Sequence, residues 1–73
     1  MYQLPIIIEK DEFGYYAYCP LLEGCHSQGD SMDEVQANIK EAISLYLSTL
    51  SKSEKQEILS RELTTTIMEV EVA

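Results

Sequence analysis

The stretch from Gly14 to Leu50 constrains this 73-residue chain most. It runs GYYAYCPLLEGCHSQGD and passes directly into SMDEVQANIKEAISLYLSTL. An aromatic strand, a Pro–Gly loop, a second strand, a Gly–Asp stop and a helix start follow one another with almost no residue to spare. So tight a succession specifies a small sheet backed by a helix and leaves no room for long catalytic loops. Seventy-three residues also supply only one thin core, so a single domain over residues 1–73 is expected, marginally stable alone and a candidate for self-association.

Local patterns give the element order. From Gln3 to Lys10, the run Ile6-Ile7-Ile8 is β-branched and too short for a helix, which predicts a strand. Pro5 lacks a backbone donor, so regular pairing begins at or after Ile6. Asp11-Glu12-Phe13-Gly14 is a hairpin turn, Tyr15 to Cys19 a second strand, Pro20 to Gly24 a reversal and Cys25 to Gln28 a third strand. Joined by tight turns, the three strands form an antiparallel meander.

Ser31 with Glu34 three residues later is the capping-box signature of a helix start. Asp30, Asp33 and Glu34 sit where the helix dipole favours negative charge. Met32, Val35, Ile39, Ala42, Ile43, Tyr46, Leu47 and Leu50 recur at three- and four-residue spacing and make one core-facing stripe, with Leu45 outside it. Residues 51–63 have the composition of a shorter helix or helical connection, with Ser53 as a possible cap and Gln56 in its third position. From Thr64 to Val72 the pattern becomes strict alternation, Thr64, Thr66, Met68, Val70 and Val72 against Thr65, Ile67, Glu69 and Glu71. That pattern predicts a half-buried fourth strand, parallel to the first because the long helix reverses the chain. The expected fold is α+β, in the order β-β-β-α-β, with spatial strand order 3-2-1-4. Tyr16 and Tyr18 project opposite to Tyr15, Ala17 and Cys19. Local pattern leaves open which set meets the helix. A tyrosine-bearing face left uncovered is either a contact surface or a half-wetted sheet face.

Charge narrows the functions. Thirteen acids against five bases give a net charge of −8, and up to Glu34 seven acids face a single base, Lys10. Such a surface repels phosphates, so direct nucleic-acid binding is not expected. It suits a cationic partner, or simply favours solubility. No segment approaches the roughly 20 apolar residues of a membrane span. The N-terminus has no signal-peptide pattern, and a cytoplasmic location is expected. Cys19, Cys25 and His26 invite a metal or nucleophile reading, but C-x5-C-H lacks zinc-type pairing, and adjacent Cys25 and His26 point to opposite strand faces. A Cys19–Cys25 disulfide is conceivable but disfavoured in a reducing cytoplasm. A two-metal nuclease would need converging carboxylates, and Glu9, Glu34, Glu69 and Glu71 form no convincing set. No metal, no cofactor and no catalytic residue are expected.

The string GYYAYCPLLEGCHSQGDSMDEVQANIKEAISLYL resembles the HicB family of type II toxin–antitoxin antitoxins. The matching positions are Gly14, Tyr15, Tyr16, Pro20, Gly24, Gly29, Asp30, Glu34, Asn38, Ile39, Glu41, Ala42 and Ile43. The resemblance covers about half of the chain, and the final strand agrees in type. It implies a truncated ribonuclease H-like fold without catalytic activity. It also implies a small basic HicA-type toxin as partner, an mRNA endonuclease with a catalytic histidine whose active site the antitoxin masks. Oligomers are familiar in that family, and a homo-oligomer is expected. Members of that family usually add a DNA-binding segment, whereas this sequence stops at Ala73 without a basic recognition helix, so a short form without DNA binding is expected. A solitary oligomeric interaction module without a toxin is the alternative. From charge and loop position, Asp11, Glu12, Glu23 and Asp30 are the candidate contacts, joined by Tyr16 and Tyr18 if their face is free.

Overall fold

The structure is a computed structural model that describes residues 2–73. Three strands, β1 (Ile7–Asp11), β2 (Gly14–Tyr18) and β3 (His26–Gly29), precede helix α1 (Met32–Ser48) and helix α2 (Lys52–Leu59). The strands form one antiparallel sheet in the order β1-β2-β3, as the meander predicted. Pairing starts at Ile7, one residue past the isoleucine that follows Pro5. The β1–β2 turn is tightened by Asp11, whose Oδ1 accepts from the Phe13 N–H at 2.8 Å. The reversal after β2 is closed by Cys19 N–H to the Cys25 carbonyl at 3.1 Å and by Cys25 N–H to the Leu22 carbonyl at 3.0 Å.

α1 packs across β3 and β2 and reaches much less far over β1. Its contact with β3 is close. A Cβ on Gly29 would lie 2.7 Å from the Val35 backbone nitrogen, so glycine here provides room. The half-buried Asn38 ties the two elements together, its Nδ2 donating to the Gln28 carbonyl at 2.8 Å. The buried core is Ala17, Cys19, Leu21, Leu22, Cys25, Val35, Ile39 and Leu47, with Ile8, Tyr15, Ile43, Tyr46 and Ile58 packed against it. The helix stripe therefore meets the sheet as the spacing required, except that Met32 at its start remains 43 % exposed. Leu45 is 63 % exposed, in keeping with its place outside the stripe.

The caps differ in detail from the expected pattern. Ser31 Oγ accepts from Glu34 N–H at 3.1 Å, but the Glu34 carboxylate reaches back to the N–H of Asp30 instead of Ser31. The full reciprocal box belongs to α2 and uses Ser51 and Glu54, displacing the expected Ser53–Gln56 pair. Ser51 wins because the chain is already extended there, at φ −72° and ψ 166°, so helical geometry starts at Lys52.

The expected fourth strand is not formed. Residues 61–73 carry no regular secondary structure, and all are exposed. Ile67 is 100 % and Val72 87 % exposed. An alternating segment becomes a strand only when it meets a free edge, and here it lies against none.

Candidate functional site

Register assigns the two faces of the sheet. Directly paired residues share a face, so Ile7, Tyr18 and His26 form one row and Glu9, Tyr16 and Gln28 the next, followed by Asp11 with Gly14. The intervening rows, Ile8-Ala17-Ser27 and Lys10-Tyr15-Gly29, lie on the face toward α1, which covers their β2 and β3 members. Ala17, fully buried, fixes this choice. The Tyr16 and Tyr18 set therefore occupies the face opposite the helix.

Three rings pack on that open face. Tyr16 and Tyr18 have centroids 5.9 Å apart, and Tyr16 and His26 5.7 Å, both within the range of favourable tilted aromatic pairs. Tyr16 is 38 % exposed and Tyr18 half-buried, so the rings are ordered by mutual packing while their outer surfaces stay wet. Tyrosines held in this way bind at low entropic cost because they have little rotamer freedom to lose.

Carboxylates border the rings. At one end Glu9, Asp11, Asp30 and Glu34 converge around a shallow groove that Tyr16 and Gln28 also line. At the other end Glu23 lies beside Tyr16, Tyr18 and His26 in a second depression, walled by the Pro20–Cys25 loop. Lys10 lines the first groove as well, from the helix side of the sheet end, with its Nζ 5.4 Å from the centroid of the Tyr15 ring, so one base stands among these acids.

Of the six sequence candidates, the structure brings Asp11, Tyr16 and Asp30 together at one groove and Tyr16, Tyr18 and Glu23 at the other. Glu12 sits in the β1–β2 turn and lines neither. Sequence reasoning missed His26, Gln28, Glu9 and Glu34 as members of this surface. Period-two alternation was the available signal for the first three, once the register was known.

The cysteines lie elsewhere. Cys19 and Cys25 are free thiols buried on the core side, whereas His26 is exposed on the open face. Burial, and then the neighbouring Cys19, push the Cys25 thiol up from its ordinary pKa, which keeps it a poor nucleophile. Among the described residues no group of three or more His, Cys, Asp or Glu is arranged to hold a metal ion. No helix among them is long and apolar enough to cross a membrane.

Comparison with known proteins agrees with this architecture of sheet and helix. The family model described as HicB_like antitoxin of bacterial toxin-antitoxin system matches residues 4–73. A UPF0150 protein of Helicobacter pylori is 58% identical over 48 residues, 66% of this chain and 67% of its own length. One from Synechocystis is 49% identical over 51 residues, 68% of this chain. One from Archaeoglobus fulgidus is 49% identical over 55 residues, 74% of this chain and 80% of its own. The match spans 65% of the Synechocystis relative, a little under two thirds of its length. No solved structure matches. On the family match over nearly its whole length, this chain belongs to the HicB-like antitoxin family of bacterial toxin–antitoxin systems.

Proposed function

We propose that residues 1–73 act as one HicB-like domain that neutralises a small basic mRNA endonuclease of the HicA type, without catalysis of its own. In this reading the chain docks its open sheet face over the toxin's active site, in the cytoplasm where messenger RNA is cleaved. The observation that carries the proposal is the union of a packed aromatic group, Tyr16, Tyr18 and His26, on the face left free by α1, with carboxylates around it: Glu9 and Asp11 on that face, Glu23 in the β2–β3 loop, and Asp30 and Glu34 at the start of α1. The rings supply the desolvated centre of an interface. The rim supplies the field that draws a cationic partner and fixes its orientation. The same field disfavours direct binding of nucleic acid. Completion of the sheet belongs to this reading as well: residues 64–72, unpaired in the structure, would on reaching β1 add a fourth strand parallel to it, in the order 3-2-1-4 of a truncated ribonuclease H-like fold. Glu12, at the turn beside Asp11, adds charge at the edge of the contact.

Co-expression with a HicA-type ribonuclease from a neighbouring reading frame, read as growth rescue, tests the proposal. Tyr16→Ala is expected to weaken the complex by about 2 kcal/mol, roughly 30-fold, as loss of a central aromatic anchor does. Asp11→Lys with Asp30→Lys is expected to slow association and flatten its salt dependence. Rescue and affinity that withstand both changes would exclude this face as the docking surface.

A further inference from the structure

Beyond the last paired row of the sheet, β2 and β3 continue into two cysteines. Tyr18 pairs with His26, so the next residues along, Cys19 and Cys25, stand directly opposite each other. The Cys19 N–H donates to the Cys25 carbonyl at 3.1 Å, which makes them a hydrogen-bonded pair of the antiparallel ladder. Such pairs hold their Cα atoms about 5.5 Å apart, inside the window of roughly 4.4–6.8 Å that a disulfide needs. Directly opposite residues share a face, and here it is the core face that carries Ala17. Their Cβ atoms need to close by about 1 Å from ordinary strand spacing to reach the disulfide distance. The pair has the freedom to do so, because a single hydrogen bond joins it. The Cys25 N–H turns away to the Leu22 carbonyl, and the Cys19 carbonyl accepts from the Leu22 N–H instead.

Both thiols are free, and they are 2 and 5 % exposed. Cys19 contributes to the rise of the Cys25 pKa, as a thiol does only at short range. Between them lie Pro20 to Gly24, whose Leu21 and Leu22 are core residues and whose Glu23 borders the aromatic face. The cysteines therefore stand at the two ends of a loop that serves both the core and the candidate site.

We propose that Cys19 and Cys25 are a redox site, joined by a hydroperoxide into a cross-strand disulfide that clamps the Pro20–Gly24 loop, and opened again by a dithiol reductant. One sulfur attacks the O–O bond of hydrogen peroxide and becomes a sulfenic acid, releasing water. The second sulfur displaces the hydroxyl of that sulfenic acid, so an S–S bond forms, an S–O bond breaks and a second water leaves. In sum, two electrons pass from the sulfurs to the peroxide, and the two thiol hydrogens depart in the waters. Burial and the raised Cys25 pKa slow the first step, so the dithiol persists in a reducing medium. The second step is fast by comparison, because the ladder already holds the sulfurs side by side. The closed bond restrains the loop ends in the unfolded chain, which favours the folded one. This site is independent of what docks on the open face.

Mass spectrometry of the folded, reductant-free chain after treatment with hydrogen peroxide tests the site. The expected product is a single chain lighter by two hydrogens, with no thiol left for an alkylating agent after denaturation. Dithiothreitol should restore the starting mass. The oxidised chain should show a higher urea midpoint than the reduced one, with an unchanged circular dichroism spectrum. Cys19→Ala and Cys25→Ala should each lose both this product and the shift in midpoint. An unsubstituted chain that gains oxygen without losing two hydrogens would overturn the proposal, as would an interchain bond as the main product. A bond that forms only in urea, or one that lowers the urea midpoint, would overturn it too.

Discussion

Two glycines show how much single positions decide here, and by different physics. Gly24 takes φ +78° with nothing within 4 Å of the place of a Cβ, so its constraint is backbone conformation alone. Gly29 has an ordinary backbone, but a Cβ there would lie 2.7 Å from the Val35 nitrogen. Gly24→Ala is therefore expected to cost about 1 kcal/mol, the usual penalty for a side chain in the left-handed region. Gly29→Ala must push α1 off β3 and is expected to cost more, about 2–3 kcal/mol, as overpacking does. Urea denaturation of the two variants checks the order, and equal midpoints would contradict it. The Gly29-Asp30 stop was legible as a boundary from composition. The need for space at Gly29 was not, because the clash arises with an element six residues further on.

At the scale of elements, the two helices are held by different forces. α1 buries Val35, Ile39 and Leu47 and survives on packing. α2 buries no residue fully and meets the core through Ile58, so its capping box matters more. Glu54 accepts from the Ser51 N–H at 2.9 Å, and hydrogen bonds to the Ser51 backbone and then its side chain lower the Glu54 pKa below its ordinary 4.5. A carboxylate with a depressed folded pKa stabilises above its unfolded value, and this contribution is lost as pH falls through the folded one. α2 is thus expected to fray as pH falls below the ordinary glutamate range, seen as faster amide exchange in residues 52–59 than in α1. Glu54→Gln should remove that pH dependence, and Ser51→Ala should cost about 1 kcal/mol of local stability. The sequence announced both helices through Ser-x-x-Glu and Ser-x-x-Gln spacings. It misplaced the second cap by two residues, because Ser51 and Ser53 both have a glutamate or glutamine three positions on.

At the scale of the molecule, stability rests on a single cluster that holds eight buried residues among those described. Leu22, only 1 % exposed, is one of the two largest fully buried side chains, and it lies in the loop that joins β2 to β3. Leu22→Ala is expected to cost about 2–5 kcal/mol, a large share of what so small a core supplies, and to shift the thermal midpoint accordingly. Leu45→Ala, at a position 63 % exposed, should change it by less than about 0.5 kcal/mol. Comparable losses in the two variants would mean that α1 packs on its other side, against a partner.

The hairpin, the stripe from Val35 to Leu50 and the start of α1 after Ser31 were determined by the sequence itself. They depend on neighbours within about four residues, where backbone propensity and side-chain spacing act without help from the rest of the chain. The acidic bias of the first half was equally plain from the residue list. Tertiary structure alone decided that Ala17 and Cys19 go under the helix while Tyr16 and Tyr18 face out, that Lys10 lies over the Tyr15 ring, and that residues 64–72 lie unpaired. Each of those outcomes is a competition between distant surfaces. Either strand face satisfies the local alternation, and the choice falls to whichever set fits beneath α1. The last segment has the pattern of a strand, but strand formation requires a second backbone at hydrogen-bonding distance, and a pattern cannot provide one.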